Sequence, residues 1–114
     1  MWSAPSEVAM SVLAHREFAN FAEFYPVYLS EHSNRACREL HFLGSTLALL
    51  CFAVLLLTGN LLWLVAAFAC GYGCAWIGHF AFEKNQPTTF RHPIYSFMGD
   101  WVMYWQMLTG TASF

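Results

Sequence analysis

The sequence predicts an all-α fold. It is a small integral membrane helical bundle, in which an antiparallel transmembrane hairpin is flanked by an N-terminal amphipathic helix and a C-terminal interfacial or re-entrant helix. Three observations carry this expectation. Residues 61–82 (LLWLVAAFACGYGCAWIGHFAF) run without a formal charge over the length of a membrane-spanning helix. Residues 42–57 (FLGSTLALLCFAVLLL) form a second apolar run, and only Thr58, Gly59 and Asn60 separate the two. Hydrophobic residues make up 58% of the chain and charged residues 11%, against roughly 45–50% and about 25% in soluble domains.

A chain of 114 residues holds one small domain, residues 1–114. The net charge of −2, with no basic block, points to no nucleic acid partner. Cys51, Cys70 and Cys74 lie inside apolar runs and read, with Cys37, as small buried hydrophobes rather than a disulfide frame. Cys70 and Cys74 share a helix face, a weak metal signal. The N-terminus lacks the pattern of a cleavable signal peptide, so the apolar segments are expected to direct the chain to the membrane.

In chain order, residues 5–25 read as an amphipathic helix. Pro5 suits its first turn, and Val8, Val12, Phe18, Phe21 and Tyr25 fall at helical spacing, with Arg16, Glu17, Asn20 and Glu23 on the wet side. Pro26 is expected to end or kink it. Residues 28–41 (YLSEHSNRACRELH) are the most polar stretch, with Ser33 the expected N-cap of the following helix. His32 and His41 are nine residues apart and would oppose each other on one continuous helix. They converge only if His32 lies before that helix begins.

The first span covers residues 40–57. The apolar run alone rises about 24 Å, short of a core about 30 Å thick, so the helix must extend back toward Arg38. Gly59 and Asn60 suit a helix stop and a helix start. So short a link makes the spans, 40–57 and 61–82, antiparallel neighbours, which brings His41 and His79 to one membrane side. Arg16, Arg35, Arg38, Lys84 and Arg91 flank that side, and the turn is uncharged. The positive-inside rule makes it cytoplasmic, with both termini. Pro87 punctuates a polar connection, and Pro93 opens a last helix whose Ile94, Phe97, Met98, Trp101, Val102, Trp105 and Leu108 share a face opposite Gly99, Asp100, Met103 and Gln106. With Asp100 central, only about 16 residues and many tryptophans and tyrosines, it reads as interfacial or re-entrant rather than as a full span.

Four histidines, His32, His41, His79 and His92, map to one mouth of the hairpin, with Glu31, Glu83 and Asp100 available beside them. Imidazole and carboxylate are the ligands of non-haem iron or zinc, and two histidines plus one carboxylate is an oxygen-activating iron pattern. The residues equally allow histidines that merely sit at an interface. No two of them form a short H-x-x-x-H pair. Gly71, Gly73 and Gly78 read as sites of close helix packing, and Trp76, Trp101, Tyr104 and Trp105 as interface anchors.

Three stretches, FYPVYLSEHSNRACRELHFLGST (24–46), GYGCAWIGHFAFEKNQPTTFRHPIYS (71–96) and MGDW (98–101), resemble a membrane family once known only as a domain of unknown function. Its characterised fungal member is the iron-dependent 2-hydroxy fatty acid dioxygenase of phytosphingosine degradation. The resemblance covers most of residues 24–105 and includes E-H-S-N, the L-H opening the first span, G-H-F-x-F-E-K-N-x-P and H-P. It implies an Fe2+ enzyme of fatty acid α-oxidation. A 2-hydroxy fatty acid and O2 give the acid one carbon shorter, CO2 and water, so the substrate supplies all four electrons.

Carried over by motif, the resemblance implies His32, His41, His79 and His92 as metal ligands. Glu31, Glu83 and Asp100 are the candidate catalytic carboxylates, and Asn34, Arg35, Arg38, Trp76 and Trp101 the candidate substrate contacts. The expected partners are the fatty acid, O2, the lipid bilayer of a bacterial inner membrane and a second copy of the chain in a homo-oligomer. Two other classes stay open on the residues. One is an electron-transfer protein holding haem between His41 and His79, and the other a non-catalytic scaffold or lipid-binding module.

Overall fold

The computed structural model describes residues 17–113. The expected N-terminal helix therefore lies, over residues 5–16, outside the described residues. The rest is helical, with no strand among the described residues: α1 (Phe21–Ser30), α2 (Arg35–Thr58), α3 (Leu62–Ile77), a π-helical extension (Gly78–Glu83), a short 3-10 turn (Thr88–Phe90) and α4 (Pro93–Thr109).

Helix α1 starts after Asn20, whose side chain accepts from the Glu23 amide. It runs through Pro26 instead of ending there. Pro26 and Ala22, the residue whose carbonyl loses its partner, are both exposed, so water can take the missing bond. Phe24 and Tyr28 on the opposite face are buried against Met103 and Met107 of α4, which holds the helix through the proline.

Helix α2 is capped by Asn34 rather than by Ser33. The Asn34 side chain accepts from the amides of Ala36 and Cys37, while the Ser33 hydroxyl donates to Glu83 at 3.5 Å. His32 thus lies before the helix, as its convergence with His41 requires. At the far end Gly59 takes a left-handed φ of 69°, which stops the helix, and the Asn60 side chain accepts from the Leu62 amide at 3.0 Å. The result is an antiparallel hairpin of two helices, Arg35–Thr58 and Leu62–Glu83, each long and apolar enough to cross a membrane. Their outer faces are strongly apolar and uncovered, with Leu56 72%, Leu57 86% and Val65 65% exposed.

The hairpin closes tightly at Gly44, where an added Cβ would stand 2.8 Å from Cys74 Cβ and 3.0 Å from the Cys70 carbonyl. Gly78 is similarly tight against Cys37, whereas Gly73 has nothing within 4 Å, so the expectation of close packing holds for Gly78 and not for Gly73. Helix α4 buries Ser96, Gly99, Met103 and Met107. Its apolar face points outward, with Ile94 75% and Trp105 62% exposed. The helix thus turns Met103 and Met107 inward with two small residues and leaves most of its other large apolar side chains uncovered.

Candidate metal centre

Three elements each deliver one histidine to a single buried point. His32 follows α1, His41 lies in α2 just before its apolar run, and His79 lies in the π-helical extension of α3. All three are buried, at 1%, 5% and 2% exposure. One ring nitrogen from each lies within 4.8 Å of the other two. The ring centroids are 4.4 to 5.1 Å apart, and each pair meets edge to face. The wider turn of a π-helix is a recurrent feature of functional sites, and here it carries His79. Gly78 lets this turn lie on Cys37: a Cβ there would stand 3.1 Å from Cys37 Sγ and 3.2 Å from its Cα.

The hydrogen bonds of the three rings fix their tautomers. His32 Nδ1 is 2.6 Å from the Tyr28 carbonyl and His41 Nδ1 is 2.8 Å from the Cys37 carbonyl. A carbonyl only accepts, so each Nδ1 carries the proton. His79 Nδ1 is 2.7 Å from Asn85 Oδ1, and the other end of that amide donates to the Glu31 carbonyl at 3.1 Å, which sets its orientation. All three Nδ1 atoms are therefore donors, and all three Nε2 atoms keep their lone pairs. His32 Nε2 and His79 Nε2 stand 2.9 Å apart, lone pair toward lone pair. A cation relieves that opposition. Burial and the neighbouring His41 and His79 hold His32 well below the usual histidine range, which disfavours a proton in this role. The donor set fits a transition-metal ion: three neutral imidazoles, each ring oriented by an oxygen acceptor on its other nitrogen.

The carboxylates stand apart from this group. Glu31 pairs with Arg91 at 2.5 Å and accepts from the Thr88 hydroxyl at 3.3 Å; burial raises its carboxyl despite Arg91. Glu83 accepts from the Asn34 amide and sits at the N-terminus of α2, where a negative charge is favoured. Asp100 accepts from the Tyr28 hydroxyl at 2.5 Å, and burial pushes its carboxyl up to about 7 against that bond. The Tyr28 ring in turn stacks on His32, centroids 3.9 Å apart. The iron pattern of two histidines and a carboxylate thus gives way to three histidines. The physical reason is that each carboxylate already has a structural partner.

His92 is not brought into the group. It precedes α4, and its ring lies 5.0 Å from Phe18 and 5.6 Å from Phe24. Arg38 donates to the carbonyl of His32 at 2.5 Å and to that of Ser113 at 3.2 Å, so it braces a candidate ligand. Arg35 is exposed and pairs with Glu39 at 2.8 Å. Asn34 is the cap of α2. Trp76 is exposed against the edge of Phe90, and Trp101 lines a cavity of ≈ 340 Å³ that also borders His41 and Asp100.

Sequence reasoning passed over Asn85, Tyr28 and Cys37. The first was visible inside the E-K-N-x-P motif. Lys84, in the left-handed conformation at φ 58°, reverses the chain so that Asn85 returns to His79.

A family model described as 2-hydroxy-palmitic acid dioxygenase Mpo1-like matches residues 18–112. No curated protein and no solved structure matches the chain.

Proposed function

The chain belongs to the Mpo1-like family, and on that premise we propose that it is an Fe2+-dependent dioxygenase of fatty acid α-oxidation, acting on a 2-hydroxy fatty acid in a lipid bilayer. The observation that carries the reading is the convergence of one ring nitrogen from each of three buried histidines on one point. His32, His41 and His79 hold the metal. Iron bound there would supply the oxygen-activating chemistry, with the three histidines as its protein ligands. The family name gives a 2-hydroxy acid and a dioxygenase, and the overall change proposed is 2-hydroxy acid plus O2 to the acid one carbon shorter, CO2 and water.

The remaining residues bind, orient and exclude water. Asn85 and the carbonyls of Tyr28 and Cys37 keep the three rings in the ligating tautomer. Asp100, in the cavity wall beside His41, faces the polar end of the substrate. Arg38 steadies His32 through its carbonyl. The basic residues at the histidine end and the uncharged turn at the other support a cytoplasmic site. A haem between His41 and His79 is disfavoured, because their ring centroids are 5.1 Å apart with His32 packed against both.

The test is product analysis on detergent-purified protein loaded anaerobically with Fe2+ and given 2-hydroxypalmitate and air. One O2 consumed and one pentadecanoic acid and one CO2 formed per substrate is the expected result. Iron-loaded protein that consumes no O2 with any 2-hydroxy acid contradicts the reading.

A further inference from the structure

The cavity beside His41 is a groove along the hairpin. On α2 its wall descends from His41 through Ser45 and Ala48 to Phe52, and on α3 it runs through Ala75, Gly71 and Ala67 to Leu64. These spacings of three and four keep each wall on one helix face, and the antiparallel pairing sets His41 beside Ala75 and Phe52 beside Leu64. From His41 to Phe52 the groove extends about 16 Å along the helix axis. Small residues floor its middle. Such a stripe ordinarily lets two helices close on each other, but here the tight contact is displaced to Gly44 against Cys70 and Cys74. Gly71 and Ala48 still meet, a Cβ at Gly71 standing 3.7 Å from Ala48 Cβ, and beside that contact the small residues line a space of ≈ 340 Å³.

The two ends of the groove differ. At the histidine end α4 covers it with Phe97, Asp100 and Trp101. Beyond that cover the rim is open and apolar, with Leu49 46%, Phe52 46% and Phe68 53% exposed on the surface of the helices long enough to span a bilayer. The space thus has polar groups at its covered end and is continuous with the lipid-facing surface at the other.

We propose that this groove is an acyl-chain channel entered sideways from the bilayer, holding the tail of a monocarboxylic acid with its carboxyl end at His41 and Asp100, and that Phe52 and Leu64 mark where the protein's grip on the tail ends. The inference rests on the reading of the substrate as a 2-hydroxy fatty acid. It adds a chain-length rule: methylenes within the groove pack against its walls and are read by them, and those beyond Phe52 lie in lipid either way and add nothing.

The test uses the whole protein in lipid nanodiscs with two photoreactive 2-hydroxypalmitates, one carrying a diazirine at mid-chain and one near the methyl end, and maps the labelled residues by mass spectrometry. Mid-chain label on Ala48, Ala67 or Gly71, methyl-end label on Phe52 or Leu64, and suppression of both by excess 2-hydroxypalmitate are expected. Label spread over the outer residues Leu56, Leu57 and Val65 and insensitive to competitor overturns the proposal. A second arm compares saturated 2-hydroxy acids of eight and sixteen carbons as competitors. In Ala48→Phe, which fills the groove, the longer acid loses at least about tenfold of its advantage over the shorter; an unchanged ratio overturns the channel. Groove labelling without turnover removes the dioxygenase reading and leaves the channel. Turnover with label only on the outer faces does the reverse.

Discussion

Asn85 Oδ1 lies 2.7 Å from His79 Nδ1, and the same side chain donates to the Glu31 carbonyl at 3.1 Å, tying the end of α3 to the end of α1 through a candidate ligand. Lys84 makes this possible by turning the chain back in the left-handed conformation. An acceptor on the far nitrogen of a ligating histidine sets its tautomer and its basicity. Asn85→Ala should therefore weaken metal binding by about 10–100-fold, measured by competition with a chelator of known affinity. Asn85→Asp, which keeps an acceptor for Nδ1–H, should lie closer to the parent. An Ala variant with undiminished affinity would separate Asn85 from the site.

The Asp100 carboxyl is pushed up to about 7 by burial, with the Tyr28 hydroxyl pulling it down. In the unfolded chain it titrates at about 3.9. Between these values the folded protein holds the extra proton, so stability from this group is complete below about pH 4 and is lost as the pH rises through about 7. Asp100→Asn should remove that slope, measured as the unfolding midpoint from pH 5 to 8 in detergent. Parallel curves for variant and parent would place the proton elsewhere.

Glu31 and Arg91 form a buried pair at 2.5 Å, their side chains only 6% and 14% exposed. Removing one member strands the other in a poorly solvated place. Arg91→Met should cost about 3 kcal/mol of unfolding free energy, and the double variant Arg91→Met with Glu31→Gln should recover part of it. The pair matters beyond stability, because the Glu31 carbonyl orients Asn85. A single variant as stable as the parent would show the pair to be solvated.

Much of this arrangement was legible in the chain. The short turn at Thr58, Gly59 and Asn60 demanded an antiparallel hairpin, and that alone placed His41 near His79. The helical phase of His32 and His41 required His32 to stand outside α2, and the Asn34 cap puts it there. What escaped depends on contacts between residues far apart in sequence. Nothing local tells Glu31 that it will meet Arg91, or Glu83 that it will cap α2, so both read as free carboxylates. His92 looks equivalent to the other histidines until α4 packs on α1 and sets its ring against Phe18 and Phe24. The outward turn of the apolar face of α4 depends on the surrounding solvent, which periodicity does not reveal.

His32, His41 and His79 are the proposed ligands of one iron. Iron content by mass spectrometry after anaerobic loading and desalting tests that assignment most directly, on the parent and on His32→Ala, His41→Ala, His79→Ala and His92→Ala, with folding checked by circular dichroism. One iron per chain is expected in the parent and in His92→Ala, and little or none in the other three. Folded His32→Ala, His41→Ala and His79→Ala proteins that each retain a full equivalent of iron would contradict it.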